Sequence, residues 1–171
     1  MTFQSTVSLK QGFGVPGEYF TDGPFRAESF ILNSVSAAYN IIGATAFSIV
    51  SQGIAQAGNP SSGVFAGILA NPKTAPLQGG SSGTLSPTLT LPNNAQADIV
   101  NMGTMVVTLP ASAAIGDYVV FDNTTGALST IAPGASLPSG KTFANAVVDY
   151  FTVGGAGLAV ITLTPTLVIP H

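Results

Sequence analysis

Asp117-Tyr118-Val119-Val120-Phe121-Asp122-Asn123-Thr124-Thr125-Gly126-Ala127-Leu128 decides how the chain reads. A run of β-prone residues follows the turn at Gly116, a polar loop ends in Gly126, and Leu128 begins a return. That is the signature of a β-hairpin. Asp117 and Asp122 flank the apolar run and belong at its opposite ends. Asp122 suits the start of the turn, where a carboxylate accepts a backbone N–H. Downstream, Ala146 to Thr152 and Leu158 to Leu163 flank Gly154-Gly155-Ala156-Gly157, a second hairpin. Upstream, Thr84-Leu85-Ser86, Thr88-Leu89-Thr90-Leu91 and Met105-Val106-Val107-Thr108-Leu109 are short strand candidates. One strand every roughly 10 to 14 residues suits a sandwich or a barrel. Ala111-Ser112-Ala113-Ala114 is expected to make one short helical turn.

Residues 29–56 also read as strands, because β-branched residues alternate with small ones in Ile42-Gly43-Ala44-Thr45-Ala46-Phe47-Ser48-Ile49-Val50. Residues 57–84 read as a long irregular connection. Asn59-Pro60-Ser61-Ser62-Gly63 and Asn71-Pro72-Lys73 punctuate the apolar Val64-Phe65-Ala66-Gly67-Ile68-Leu69, and Gly79-Gly80-Ser81-Ser82-Gly83 is a flexible tip. Residues 1–28 are rich in turns and carry five of the eleven charges: Lys10, Glu18, Asp22, Arg26 and Glu28. They read as an extended arm bearing Phe13, Tyr19, Phe20 and Phe25. Those rings either meet a partner surface or fold back on the protein's own core; the sequence leaves both open. The expected organisation is an arm at 1–28, a β segment with a long connection at 29–84, and a β core at 85–171. The fold class is mainly β: an antiparallel sandwich or barrel with an extended N-terminal arm and long Gly/Pro-rich loops.

Composition supports this. Twenty Gly and twelve Pro disfavour long helices. With 46% hydrophobic residues and a mean hydropathy of +0.47, the chain is too apolar to be disordered. Only 6% of residues are charged, against roughly 25% in an ordinary domain. Charge keeps a lone domain off its neighbours, so a chain that omits it is expected to be covered by copies of itself or by a larger assembly. The first residues show no basic start and no apolar run, so no signal peptide is expected. The charge-free stretch from Ser29 to Pro72 is interrupted by Asn33, Asn40 and Ser48 and lacks basic flanks, which argues against a membrane span.

Chemistry is sparsely provided. No cysteine is present, so disulfides and thiolate metal sites are excluded. Gly79–Gly83 fits G-x-S-x-G, but no helix-forming segment follows it. The one histidine, His171, is the last residue and has nothing to orient it. The seven carboxylates form no evident pair, and the Asp122-Asn123 loop is too poor in carboxylates for a good calcium site. Four basic residues make no nucleic-acid patch. Asn123-Thr124-Thr125 fits a glycosylation acceptor but carries little weight without a secretion signal. Catalytic, cofactor and metal sites are therefore expected to be absent. Arg26, the one arginine, pairs either locally with Glu18, Asp22 or Glu28 or across an interface; the local pair is preferred.

Several stretches resemble phage structural cement proteins, the head decoration proteins of tailed phages. They are Gln11-Gly12-Phe13-Gly14-Val15-Pro16-Gly17-Glu18 with Asp22-Gly23-Pro24-Phe25-Arg26-Ala27, the segment Asn59 to Lys73, and Ile115 to Phe121, Thr125 to Leu128 and Gly157 to Leu163. The resemblance implies a small β-rich protein on the outer surface of an icosahedral head. There it would clamp neighbouring capsid subunits, with no catalysis and no cofactor. Its expected partners are the major capsid protein and further copies of itself, a homotrimer first and a dimer second, without nucleic acid or membrane. Expected contacts fall in residues 1–28 and 57–83, with Phe13, Tyr19, Phe20, Phe25, Arg26 and Phe65 as candidate interface residues. The alternatives are a tail, fibre or baseplate component, and a carbohydrate-binding β-domain on a virion or cell surface. The lack of Trp and the presence of only four Tyr count against the last.

Overall fold

β-branched and small residues in short runs, broken by Gly and Pro, give strands and almost nothing else. The structure is a computed structural model that describes residues 14–21, 23–60, 63–71 and 90–165. Among these it contains β1 (Arg26–Leu32), β2 (Ala46–Ser51), β3 (Ile54–Ala57), β4 (Val64–Leu69), β5 (Gln96–Leu109), β6 (Tyr118–Asp122), β7 (Leu128–Ile131), β8 (Lys141–Asp149) and β9 (Gly157–Leu163). A single 3-10 turn at Ala37–Tyr39 is the one helical element of the described residues. No described helix is long and apolar enough to cross a membrane.

The strands run in the order β1-β3-β2-β4-β5-β9-β8-β6-β7, and β1 also pairs with β5. That second pairing closes β1, β3, β2, β4 and β5 into a ring. Five strands in a ring cannot alternate direction all the way round. One neighbouring pair must be parallel, and it is β1–β3, joined at Ile31↔Ile54 and Leu32↔Ala55. The rest of the ring is antiparallel, as expected. The other four strands, β9, β8, β6 and β7, continue from β5 and are antiparallel throughout. Residues 43–46 fill the seam between β7 and β5. Thr108 N–H donates to Gly43 O (2.8 Å), Leu128 N–H to Ala44 O (3.2 Å) and Ala46 N–H to Gly126 O (2.9 Å). The chain can pass this closely only because residue 43 is glycine: at φ 64°, a Cβ there would lie 2.2 Å from Gly17 N. Of the two architectures open to the sequence, the barrel is the one found.

β5 is the wall common to both rings. Ala97 and Ile99 point into the first core, with Phe30, Leu32, Phe47 and Leu69. Val100 points the other way, into the second core, with Phe121, Leu128 and Ile161. Beyond it Met105, Val107 and Leu109 also enter the second core, although they share the parity of Ala97 and Ile99. The register explains the switch. Arg26 pairs with Met102 but Ala27 with Val100, so β5 holds one extra residue there, and one inserted residue exchanges the two faces of a strand. Gly103 follows at φ 119°, where a Cβ would sit 2.8 Å from Phe25 Cβ.

The mouth of the first ring is held by a polar network without charge. Ser34 Oγ donates to Asn40 Oδ1 (2.6 Å), and Asn40 Nδ2 donates to Leu91 O and Asn93 Oδ1 (both 3.0 Å). Asn93 Nδ2 in turn donates to Ser34 O (2.8 Å). Ser34 and Asn40 are buried, so these bonds replace water that burial removed.

Three sequence expectations change. The connection at 57–84 contains β4, whose flanking Asn-Pro turns disguise a strand buried at Ala66–Leu69. The strand candidate at Met105–Leu109 is the second half of β5, which begins at Gln96. Ala111–Ala114 makes no helical turn; Ala113 instead exchanges backbone hydrogen bonds with Val153 (2.9 and 2.8 Å). Thr84–Leu89 lies outside the described residues.

Candidate interaction surface

The chain from Gly17 to Phe20 lies along the same edge of β5 as β1. Gly17 N–H donates to Val106 O (2.8 Å), Val106 N–H to Glu18 O (2.8 Å) and Phe20 N–H to Thr104 O (2.9 Å). Tyr19 thus forms an isolated antiparallel bridge with Met105, and β1 starts at Arg26; Phe13 lies outside the described residues. Successive residues of an extended chain point to opposite faces, so Tyr19 and Phe20 serve two groups of rings. Tyr19 meets Phe25 with ring centroids 4.1 Å apart. Phe20 meets Tyr150 at 5.0 Å and Phe151 at 5.9 Å.

These rings are far from buried. Phe25 is 55% exposed, Tyr150 50%, Phe151 41% and Tyr19 36%, so most of the group is open to solvent. Tyr150 adopts a φ of 61°, an unusual conformation for a bulky residue. Asp149 Oδ1 accepts from Tyr150 N–H (2.8 Å) and Asp149 Oδ2 from Thr162 Oγ1 (2.9 Å), which fixes that turn. Burial, followed by the nearby Asp98 carboxylate, raises the Tyr19 pKa above its ordinary value.

Arg26 borders the same region and pairs locally. Its Nε donates to Asn101 Oδ1 (2.7 Å) and lies 3.8 Å from Glu28 Oε1, while Asn101 Nδ2 donates to Glu28 Oε1 (3.0 Å). Ser29 Oγ donates to Asp98. The structure thus brings Tyr19, Phe20, Phe25 and Arg26 to one stretch of β5. Phe65 is placed differently: it is half-buried and stacks on Phe121 at 5.6 Å, packed against the second core. The sequence reading missed Tyr150 and Phe151, because it absorbed them into a strand ending at Thr152. Two adjacent aromatics directly before a Gly-rich hairpin tip were the available signal.

Asp117 and Asp122 serve their own turns. Asp117 Oδ2 accepts from Ala114 N–H (2.8 Å). Asp122 Oδ1 accepts from Thr124 N–H (2.9 Å), Thr125 N–H (2.8 Å) and Thr125 Oγ1 (3.0 Å). The backbone bond from Thr125 is the main cause of a pKa below the usual carboxylate value at Asp122. No group of three potential metal ligands occurs among the described residues. A cleft of about 200 Å³ at the seam is lined by Tyr39, Thr45, Thr108 and Leu128, and by no carboxylate, histidine or lysine. Its Thr45 hydroxyl is already donated to Tyr39 O (2.7 Å). Gly79–Gly83 and His171 lie outside the described residues.

A family-wide sequence description, structural cement protein (E217 gp24/Pam3 gp6), matches residues 3–164. Among solved structures, a chain in the capsid of Myoviridae phage XM1 is similar in fold. Its TM-score is 0.61 at 19% identity, covering 98% of this chain and 100% of the other. No curated protein sequence matches.

Proposed function

Because the chain belongs to the structural cement proteins of phages, we propose that it binds the outer surface of an icosahedral head and stabilises it by bridging neighbouring capsid subunits. Membership itself carries a structural role in the capsid, location in the virion and association with capsid proteins. The reading adds the outer face, the bridging action, the major capsid protein as the direct partner, and the absence of catalysis. It also adds self-association, with a homotrimer ahead of a dimer.

The observation that carries the reading is two neighbouring sets of aromatic rings, exposed Tyr19 with Phe25 and half-buried Phe20 with exposed Tyr150 and Phe151, with Arg26 at their border. Aromatic residues and arginine dominate the energetic centres of protein interfaces. Tyr19, Phe20, Phe25 and Arg26 are the proposed contact residues, extended by Tyr150 and Phe151. Phe13 is retained from the sequence. Phe65 contributes through core packing beneath the surface.

The test is quantitative mass spectrometry of purified particles, with wild-type protein and a Phe20→Ser/Tyr150→Ser variant. Wild type should appear in a fixed ratio to the most abundant capsid protein, and the variant should fall at least about tenfold, as losing two aromatic anchors implies. Full occupancy by a folded variant would remove this surface from the contact, and absence of wild type from particles would remove the reading. Native mass spectrometry of the free protein reads the trimer.

A further inference from the structure

Charge is scarce in this chain and unevenly placed. The charged side chains among the described residues are Glu18, Arg26, Glu28, Asp98, Asp117, Asp122, Lys141 and Asp149. Asp117, Asp122 and Lys141 are taken up within the second ring and its turns. The rest stand beside the aromatic rings, and all but Arg26 are acidic. Glu18 directly precedes Tyr19 and Phe20, and Asp149 directly precedes Tyr150 and Phe151. Burial first and then the Asp98 carboxylate raise the Tyr19 pKa, so Asp98 is within electrostatic reach of that ring. Arg26 is already engaged, by Asn101 at 2.7 Å and Glu28 at 3.8 Å. Glu18, Asp98 and Asp149 have no cationic side chain of their own among the described residues. The lysines outside those residues, Lys10 and Lys73, are too few to neutralise all of them.

Strand pairing shows how Glu18 and Asp149 are related. The bridge of Tyr19 to Met105 sets Glu18 opposite Val106 and Phe20 opposite Thr104. Val106 pairs with Val160, and Val160 with Asp149. Glu18 and Asp149 therefore stand three strand spacings apart, about 14 Å at roughly 4.8 Å per spacing. Aromatic rings lead from one to the other, since Phe20 meets Tyr150 at 5.0 Å and Phe151 at 5.9 Å. Asp149 is fixed in place: one oxygen accepts from Tyr150 N–H (2.8 Å) and the other from Thr162 Oγ1 (2.9 Å). A carboxylate so held keeps lone pairs for a further donor.

The face of an aromatic ring attracts a cation, and nearby carboxylates add to that attraction. Lysine and arginine also carry an apolar stem that lies along a ring while the charged head reaches an acid. An acidic segment on this surface would meet like charge. A purely aliphatic one would take Glu18 and Asp149 out of water without giving them a partner.

We infer that the rings of Phe20, Tyr150 and Phe151, flanked by Glu18 and Asp149, receive a lysine- or arginine-bearing segment of a capsid protein, its stem on the rings and its charge at the carboxylates. This rests on the reading that the chain binds the head.

The test is the rate at which the purified full chain associates with heads assembled without it, at low and at high salt. Wild type should associate more slowly at high salt, because screening shortens the reach of these charges. Glu18→Gln/Asp149→Asn should slow association at low salt at least about fivefold and flatten the salt dependence. Thr124→Lys changes the net charge in the same direction at an exposed position in the Asp122 turn, and should leave both readings near wild type. Thermal unfolding checks the fold of each variant. If Asp149→Asn disturbs its turn, Glu18→Gln alone carries the test, because the Glu18 side chain makes no hydrogen bond among the described residues. Salt-independent association of wild type, a folded double variant that associates as fast as wild type or faster, or an equal loss in Thr124→Lys would each overturn the inference. Wild type that binds heads without help from these carboxylates sinks this inference alone, whereas wild type that does not bind heads sinks the cement reading on which it stands.

Discussion

The two rings share a wall and a strand count but are assembled from different kinds of contact. The second ring is built largely from hairpins: β6 returns as β7 around the Asp122 turn, and β8 returns as β9. The first ring is closed by distant partners. β1 pairs with β5 some seventy positions away, and the mouth is held by Ser34, Asn40 and Asn93. A chain can therefore state one half of its fold locally while the other half exists only once remote segments have met. Local contacts also form faster, because less loop entropy is lost in making them.

The strongest way to break this comparison is to empty each core separately. Phe47 and Phe121 are both fully buried, one in each ring. Phe47→Ala and Phe121→Ala should each cost about 3–5 kcal/mol. Because β5 serves both rings, calorimetry should show one transition in either variant. Two separated transitions would mean that the rings unfold independently. Next, Asn40→Ala should cost about 1–3 kcal/mol, by leaving buried groups of Ser34 and Asn93 short of partners. Amide exchange should quicken at Leu91 and Ala57 in the first ring and stay slow at Val160 in the second; equal acceleration in both would contradict a local role for the network.

Asp122→Asn tests the local half and should cost about 1 kcal/mol near neutral pH, as charge-assisted hydrogen bonds become neutral ones. The Asp122 pKa is lowered in the folded protein, so the unfolded chain takes up the proton first as pH falls. Its contribution is thus present above the ordinary carboxylate pKa of about 3.9 and is lost as pH drops through the folded value. Urea midpoints between neutral pH and about pH 2 should fall less steeply for the variant than for wild type; parallel curves would exclude Asp122 as a source of acid sensitivity. The smallest effect on stability is expected from Tyr150→Ser alone, within about 0.5 kcal/mol at that exposed position, although together with Phe20→Ser it should have a large effect on particle occupancy. A marked loss of thermal stability would make that ring part of the fold.

What could be read from the sequence follows the same division. Asp122 to Gly126 announced its hairpin because every residue in the turn acts within a few positions, down to the Asp122 carboxylate accepting from Thr124 and Thr125. β4 was hidden because its partners, β2 and β5, are remote and its flanking Asn-Pro pairs speak only of turns. The first half of β5 was hidden because Asp98, Asn101 and Gly103 interrupt an alternation that changes face at the extra residue. The clustering of the aromatic rings was half legible. Tyr19, Phe20, Phe25 and Arg26 stand close in sequence, whereas Tyr150 and Phe151 join Phe20 from a hairpin far along the chain.

The common wall also has a mechanical meaning. β5 pairs with β9 at seven successive positions, Gly103 to Leu109 against Leu163 to Gly157, and with β1 along its other half. A tension directed along β5 would load these ladders in shear, so that many hydrogen bonds must yield together, whereas a pull across the strands would open them one after another. A subunit oriented with β5 along the direction of stretch between two anchoring points would behave as a stiff tie rather than a zipper.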